Sequence, residues 1–291
     1  MTPSQVVAKS MFCWQELQLV NRLSNTDEDI ARNIEHSITR ELPSLMSVMG
    51  KYSGAVAIVG SGPSLKDTWE QLRSFDGDII ACNASFQFLL ERDITPKFMF
   101  CFDADPLMLE FITPHPDIKY LIGSRCPPRT FDMLKDCDVV CWHANGDKNI
   151  EEILQKAGKF TEPMVNGGVA AVTRAIMLAA FLGYKEEHLY GADSSFAGDD
   201  THIRKSTTDE KRMKVKSAGR EFWCSPWMAS QAEDFRALAP QLRDLYGVTI
   251  KVHGDGLIPH IARTMEDEKR NPWKQTIRNI KHKATILWQH V

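Results

Sequence analysis

The chain has no apolar run near the ~20 residues that a membrane-spanning helix needs, and its first residues lack the basic-then-apolar order of a secretory leader. The expectation is a cytoplasmic protein without a membrane span. A charge excess is missing too: 35 Lys and Arg face 38 Asp and Glu over 291 residues, a net charge of −3. No global field then draws the chain to nucleic acid, which is not indicated as a partner. The seven cysteines, Cys13, Cys82, Cys101, Cys126, Cys137, Cys141 and Cys224, form no C-x-x-C pair. Their odd number, and the apolar runs around Cys82 and Cys101, fit reduced, buried thiols. Cys137 and Cys141 beside His143 have no second pair with which to hold zinc. G-x-S-x-G, a P-loop lysine motif and H-E-x-x-H are all absent, so serine-hydrolase, P-loop and zincin chemistry lack support. Internal repeats and low-complexity segments are absent as well.

What is present is alternation. Ala55 to Val59 (AVAIV) is a short apolar run rich in β-branched residues, as in a buried parallel strand. It breaks at Gly60-Ser61-Gly62-Pro63-Ser64-Leu65 and gives way to the helix-compatible KDTWEQLRSF. DIIAC at 78–82, FMFCF at 98–102, YLIG at 120–123, DVVCWH at 138–143, HLYGAD at 188–193 and VTIKVHG at 248–254 read as further strands. Helical segments stand between them, among them FQFLLERD, VAAVTRAIMLAAFLG and QAEDFRALAPQLRDLYG. The pattern predicts an α/β, Rossmann-like, doubly wound and mostly parallel sheet, with a helical N-terminal segment and a C-terminal αβ extension. Residues 1–53 are expected to form a helical cover. Residues 54–200 would be the nucleotide-binding domain, and 201–291 a lid loop plus an αβ extension on the same domain. In the cover, Trp14, Leu17, Leu19, Val20 and Leu23 have amphipathic spacing, and Asn25-Thr26-Asp27-Glu28 can cap a helix carrying Ile30, Ile34 and Ile38.

Polar residues stand repeatedly at the carboxyl ends of these strands: Ser61, Asn83, Asp103, Asp105, His143, Asn145, Asp147 and Asp193. In an open α/β sheet those ends face one ligand crevice. Helix capping explains one or two of them; a set this complete favours a polar site. The Gly60–Ser64 turn suits a phosphate if its N–H groups face outward at a helix start, and an ordinary tight turn uses the same residues. Leu65 holds the third glycine position of G-x-G-x-x-G, which disfavours a dehydrogenase. Asp103 and Asp105, two residues apart on an extended chain, point the same way and could share Mg²⁺ with a phosphate, or simply begin the helix DADPLMLEF. His143 and His202 are each open as a general base, a phosphate contact or a satisfied wall residue. The Asn166-Gly167-Gly168 turn opens an apolar helix. Residues 199–235, with His202, Arg204, Lys205, Lys211, Arg212, Lys214 and Lys216, read as a charged loop able to cover a substrate. The basic amphipathic tail from Asn271 reads as a packing helix or a homo-oligomer contact.

VGSGPSL, the strand-end DAD, WHANGD, the NGG turn before an alanine-rich helix, and LYGADSSF occur in that order. Together they resemble the MptE-like family, named after an archaeal 6-hydroxymethylpterin diphosphokinase and including bacterial motility accessory factors that handle nonulosonic sugars. The GxGPSLK opening and the Cys82-Asn83 pair also resemble bacterial CMP-sialic-acid-dependent sialyltransferases. The resemblance implies that Gly60, Ser61, Gly62, Pro63 and Ser64 cradle nucleotide phosphates, helped by Asn83, Asn166, Gly167, Gly168 and Asp193. It implies that Asp103 and Asp105 hold Mg²⁺, with Asp147 matching the aspartate of an HAHGDN-like segment. Asn145 stands where that segment has a second histidine, and Lys148 is inserted before Asn149, which detaches the pterin substrate from the match. One reading is transfer of a diphosphoryl group from Mg-ATP to an acceptor hydroxyl. The alternative is transfer of a nucleotide-activated, sialic-acid-like sugar to a small-molecule or glycan acceptor, and a third is a nucleotide-binding module without catalysis. Asp103, Asp105, His143, Asp147 and His202 are the candidate catalytic residues.

Overall fold

Apolar five-residue runs build the centre of the molecule, and the computed structural model describes residues 25–203 and 211–270. The expected helix around Trp14–Leu23, Cys13, the lid residues Arg204 and Lys205, and the tail from Asn271 lie outside the described residues. Ala55–Val59 is β1, Asp78–Cys82 β2, Phe98–Cys101 β3, Lys119–Gly123 β4, Asp138–Ala144 β5, Met164–Val165 β6 and Glu186–Tyr190 β7. Met213–Ser217 and Arg220–Cys224 are β8 and β9, and Thr249–Val252 is β10. Eight of these form one sheet in the order β10-β7-β1-β2-β3-β4-β5-β6, with all of its ladders parallel.

That order dictates where the helices go. From β1 the chain steps strand by strand to β6, and right-handed crossovers place their helices on one face. These are α2 (Leu65–Thr68), α3 (Ser85–Leu90), α4 (Pro128–Met133) and α5 (Ile150–Lys156). The return from β6 to β7 and on to β10 reverses direction, so α6 (Ala171–Leu182) and α7 (Pro226–Tyr246) cover the other face, joined by α8 (Leu257–Arg270). Side-chain alternation obeys this division. Ala57, Val59, Ile79, Ala81, Met99 and Tyr120 bury against Leu65, Phe86, Leu89 and Phe131. Val56, Ile58, Ile80, Phe98, Phe100 and Trp142 bury against Ile176, Leu178, Phe235 and Leu242. Burial of each such large side chain contributes about 1.5–3 kcal/mol. Because β7 lies on the opposite side of β1 from β2, the strand order reverses between β1 and β7, the point where an open α/β sheet has its ligand crevice.

The expected cover is described only from residue 25 on. Helix α1 (Asp27–Ile38) starts at Thr26 in a capping box with Asp29, as its sequence implies. Its Ile30 and Ile34 pack on Ile150, Ile153, Leu154 and Ala104, over α5 and the end of β3 instead of a sheet face. The charged stretch after Asp200 departs from expectation in kind. Its described part is the antiparallel hairpin β8–β9, with Val215, Ser217, Phe222 and Cys224 turned inward, followed at once by α7. Ala218 and Gly219 turn the hairpin with φ of 42° and 88°, and lysines on its outer positions mask a two-residue period. Strand β7 also ends early, leaving Asp193 three residues past it. The described cysteines are all free, and only Cys137 is not fully buried; burial pushes the Cys141 and Cys224 thiols up to about 12. No helix among the described residues is long and apolar enough to cross a membrane.

Candidate active site

The glycine turn after β1 is bonded to the protein itself. The Gly60 N–H donates to Tyr190 O at 2.8 Å and the Gly62 N–H to Gly191 O at 2.8 Å. The Ser64 N–H donates to Asp193 Oδ2 at 2.9 Å. The Gly60, Gly62 and Ser64 amides are thus directed at the end of β7, while the Ser61 N–H has no hydrogen-bond partner among the described residues. Both glycines are needed for that approach: a Cβ at Gly60 would stand 2.6 Å from Gly191 O, and one at Gly62 2.3 Å from Asp193 Oδ2. Asp193 is 3% exposed, and burial raises its pKa against the Ser64 hydrogen bonds that lower it. Its place is thus a tie between β7 and the β1 turn, with Gly254 and Gly256 packed on Ser64 and Asp193. Ser61 keeps a half-exposed side chain beside the crevice, and its carbonyl accepts the Ile203 N–H at 2.8 Å.

The second glycine turn is arranged differently. Asn166-Gly167-Gly168 leads into α6, whose N-cap is Ala170 in an extended conformation with no side-chain cap. Ser, Thr, Asp or Asn at this position would accept an N–H of the first turn; Thr26 and Ser225 do so for α1 and α7. The Ala171, Val172 and Thr173 amides find no hydrogen-bond partner among the described residues. Val172 reaches to within 2.7 Å of a Cβ position on Gly60, so this open helix start stands at the switch point. Asp234 fixes the turn by accepting the Val169 N–H at 3.1 Å. At the end of β2, Asn83 adopts φ of 51°, and its Oδ1 is buried without a partner among the described residues.

Farther along, Asp103 and Asp105 act locally. Asp103 Oδ1 accepts the Asp105 N–H at 3.1 Å, and Asp105 Oδ1 accepts the Leu107 N–H at 2.9 Å, capping a short 3-10 helix at Pro106–Phe111. Each carboxylate retains a second oxygen, so the pair is chemically able to take Mg²⁺ shared with phosphate oxygens. No third metal-ligating side chain joins them among the described residues. Asp147 pairs with Arg125 at 2.8 Å, and burial raises its pKa against the pull of Arg125 and Arg174.

The two histidines separate. His143 is 2% exposed; Nδ1 lies 2.9 Å from Ser124 Oγ and Nε2 3.0 Å from Glu162 Oε2. Burial lowers its pKa, opposed by Glu162. Both ring nitrogens are engaged by neighbouring side chains. His202 is exposed, with Nδ1 2.9 Å from Thr201 Oγ1, one residue from the Ile203–Ser61 bond at the crevice mouth. Asn145 and Asn166, both exposed, join through Asn145 Nδ2 to Asn166 Oδ1 at 2.6 Å. Sequence reading missed Ser124, Arg125, Glu162, Arg174 and Asp234. Only the fold gathers them, and an arginine after the glycine of a strand end was the one available signal.

Comparison with known proteins agrees with this architecture. The model of the family described as 6-hydroxymethylpterin diphosphokinase MptE-like matches residues 28–199, more than half of the chain. No curated protein matches it significantly. Among solved structures, a MAf glycosyltransferase from Magnetospirillum magneticum AMB-1 superposes with a TM-score of 0.57 at 16% identity. The overlap covers 85% of this chain and 42% of that one, so the chain spans less than half of that glycosyltransferase. The likeness is one of fold. A mammalian sialyltransferase in complex with Gal-beta-1-3GalNAc-ortho-nitrophenol overlaps at a TM-score of 0.36 and 11% identity, over 79% of this chain and 87% of that one. The sialyltransferase CST-II in complex with a trisaccharide acceptor and CMP overlaps at 0.32 and 12%, over 68% and 80%.

Proposed function

The chain belongs to the MptE-like family, and on that premise we propose that it is a nucleotide-dependent transferase whose donor is a nucleotide-activated sugar. The observation that carries the reading is the uncapped start of α6 at the β1–β7 switch point. Three unpartnered amides and the positive end of a 12-residue helix are suited to the phosphate of a nucleotide. The same groups stabilise charge as it grows on the leaving phosphate, without reorganising during the reaction. The fold neighbour described as a glycosyltransferase supports the sugar donor. Ser61 and Asn83 line the crevice beside the nucleotide.

In the transfer, the bond between the anomeric carbon and the phosphate oxygen breaks and its electron pair leaves with the nucleotide. A new bond forms from the acceptor oxygen to that carbon, and the acceptor proton passes to His202 as general base. His143 serves as a buried support of the wall. A second reading keeps the diphosphokinase chemistry, because Asp103 and Asp105 each hold one oxygen in reserve. Mg²⁺ at those oxygens would neutralise the phosphates of ATP.

A thermal-shift panel of ATP and of CMP-, UDP- and GDP-sugars, each with Mg²⁺ or EDTA, tests the reading, since a ligand raises stability with concentration over Kd. One nucleotide-sugar is expected to raise the melting temperature, and turnover to release its nucleotide. His202→Ala should lower kcat about 10²–10⁴-fold with nucleotide binding unchanged. AMP as the product, with loss of activity in EDTA, selects the diphosphokinase chemistry instead. Tight binding without turnover makes the protein a binding module, and no shift with any nucleotide removes the reading altogether.

A further inference from the structure

Beyond the switch point, the ends of β3 to β6 enclose a cationic cluster that the transfer step above leaves unused. The guanidinium carbons of Arg125 and Arg174 each lie 4.7 Å from the ring centroid of Phe102. That ring is stacked on Trp142 at 5.6 Å and 19°. Arg174 is 7% exposed and donates to Val165 O and, at 3.0 Å, to Asn145 O. Arg125 donates through Nη1 to Asp147 Oδ1 at 2.8 Å, with its side chain 12% and that of Asp147 5% exposed. Two cations thus share one close carboxylate; the charge of Asp234 also reaches Arg174, and its Oδ2 takes the Val169 N–H. Burial brings the Arg174 pKa down to about 10, a sign of a cation short of compensation.

Three buried polar atoms here have no partner among the described residues: Arg125 Nε, Arg174 Nε and Asp147 Oδ2. An ion network that served packing alone would satisfy its members, because leaving them open is costly. Arg125 engages one of its five N–H donors. Pinned between Phe102 and Asp147, its fork loses little freedom on binding a planar oxyanion. Asn145, whose carbonyl accepts from Arg174, is exposed and pairs with the exposed Asn166.

The geometry points to a second ligand subsite, centred on Arg125 and backed by Arg174, for an oxyanion: a carboxylate or phosphate carried by the sugar or by the acceptor. The site stands on its own geometry, while its owner being a transferase substrate rests on the function proposed above. It divides the crevice into a nucleotide end at β1 and β7 and an anion end at β4 to β6.

Calorimetry with glucuronate, glucose 6-phosphate and glucose, each with and without the nucleotide selected by the panel, tests it. Glucuronate or glucose 6-phosphate should bind at least ~10-fold more tightly than glucose, about 1.4 kcal/mol in binding free energy. Whichever of the two wins names the oxyanion. Arg125→Gln should erase that preference and leave nucleotide affinity unchanged, and Arg125→Lys should restore only part of it. Should Arg125→Gln fail to fold around an unpaired Asp147, the double change Arg125→Gln, Asp147→Asn removes both charges and carries the same expectation. Equal affinity for the three sugars overturns the subsite, leaving a buried water as the missing partner, and the nucleotide reading then stands. Loss of nucleotide binding alone, with the anion preference kept, overturns the transferase and leaves the subsite in place.

Discussion

Two glycine turns face each other across the crevice, and they do opposite things. Gly60-Ser61-Gly62 is bonded largely to the protein: the Gly60 and Gly62 amides meet Tyr190 O and Gly191 O, and that of Ser64 meets Asp193. Asn166-Gly167-Gly168 delivers a helix whose N-cap side chain is a methyl group and whose first three amides have no hydrogen-bond partner among the described residues. Glycine records only that something comes close. Whether that is a ligand or another strand is decided by the partner, here Gly191 for the first turn and the start of α6 for the second.

The largest expected effect would break the first turn. Gly62→Ala places a methyl carbon 2.7 Å from a backbone carbonyl and 2.3 Å from a carboxylate. Overpacking of this kind costs about 1–3 kcal/mol, and the backbone contact puts this case at the upper end. Urea unfolding should report a loss near ~3 kcal/mol. If stability is kept and nucleotide affinity collapses, the turn is a ligand cradle after all and the comparison is reversed.

A smaller change sharpens the second turn, with two signs at once. Ala170→Asp supplies the missing cap, so α6 should gain about 0.5–2 kcal/mol. The same carboxylate occupies the amides and repels a phosphate, so nucleotide affinity should fall about 10-fold, or ~1.4 kcal/mol. Melting temperature and titration on one sample check both signs. A stabilised variant with full nucleotide affinity would move the phosphate away from α6.

How much of this was legible in the sequence follows from the range of each interaction. β1 and β2 end where their apolar runs end, and α1 starts at Thr26, because strand burial and capping are written within a few residues. The β8–β9 hairpin was hidden since Lys214, Lys216 and Glu221 on its outer face look like a solvated loop until Val215 and Phe222 are seen to face inward. Met164–Val165 is too short a strand to announce itself. The tie from Asp193 to the β1 turn was not legible because its partner, Ser64, is 129 residues away. Arg125 and Arg174 meet at Phe102 and share Asp147, brought together from separate strand and helix ends. Site residues that work through such distant partners leave no local pattern, whereas the crevice itself was visible as a row of polar strand ends.

The two histidines differ in burial, His143 buried and His202 exposed, and pH separates them with the smallest effect. The folded-state pKa of His143 lies below its ordinary value, first through burial and only partly offset by Glu162. The unfolded chain therefore binds a proton more readily near pH 6.5. Stability is fully present above that value, declines as pH falls from it toward the folded pKa, and is flat below. His143→Gln should remove this slope from unfolding measured between pH 8 and 5, and leave the acid limb of the pH–rate profile in place. His202→Gln should do the reverse, abolishing the limb and leaving the stability slope. A rate limb that disappears with His143 would return that buried ring, bonded on both nitrogens, to the chemistry, and would require the wall at Ser124 and Glu162 to open during turnover.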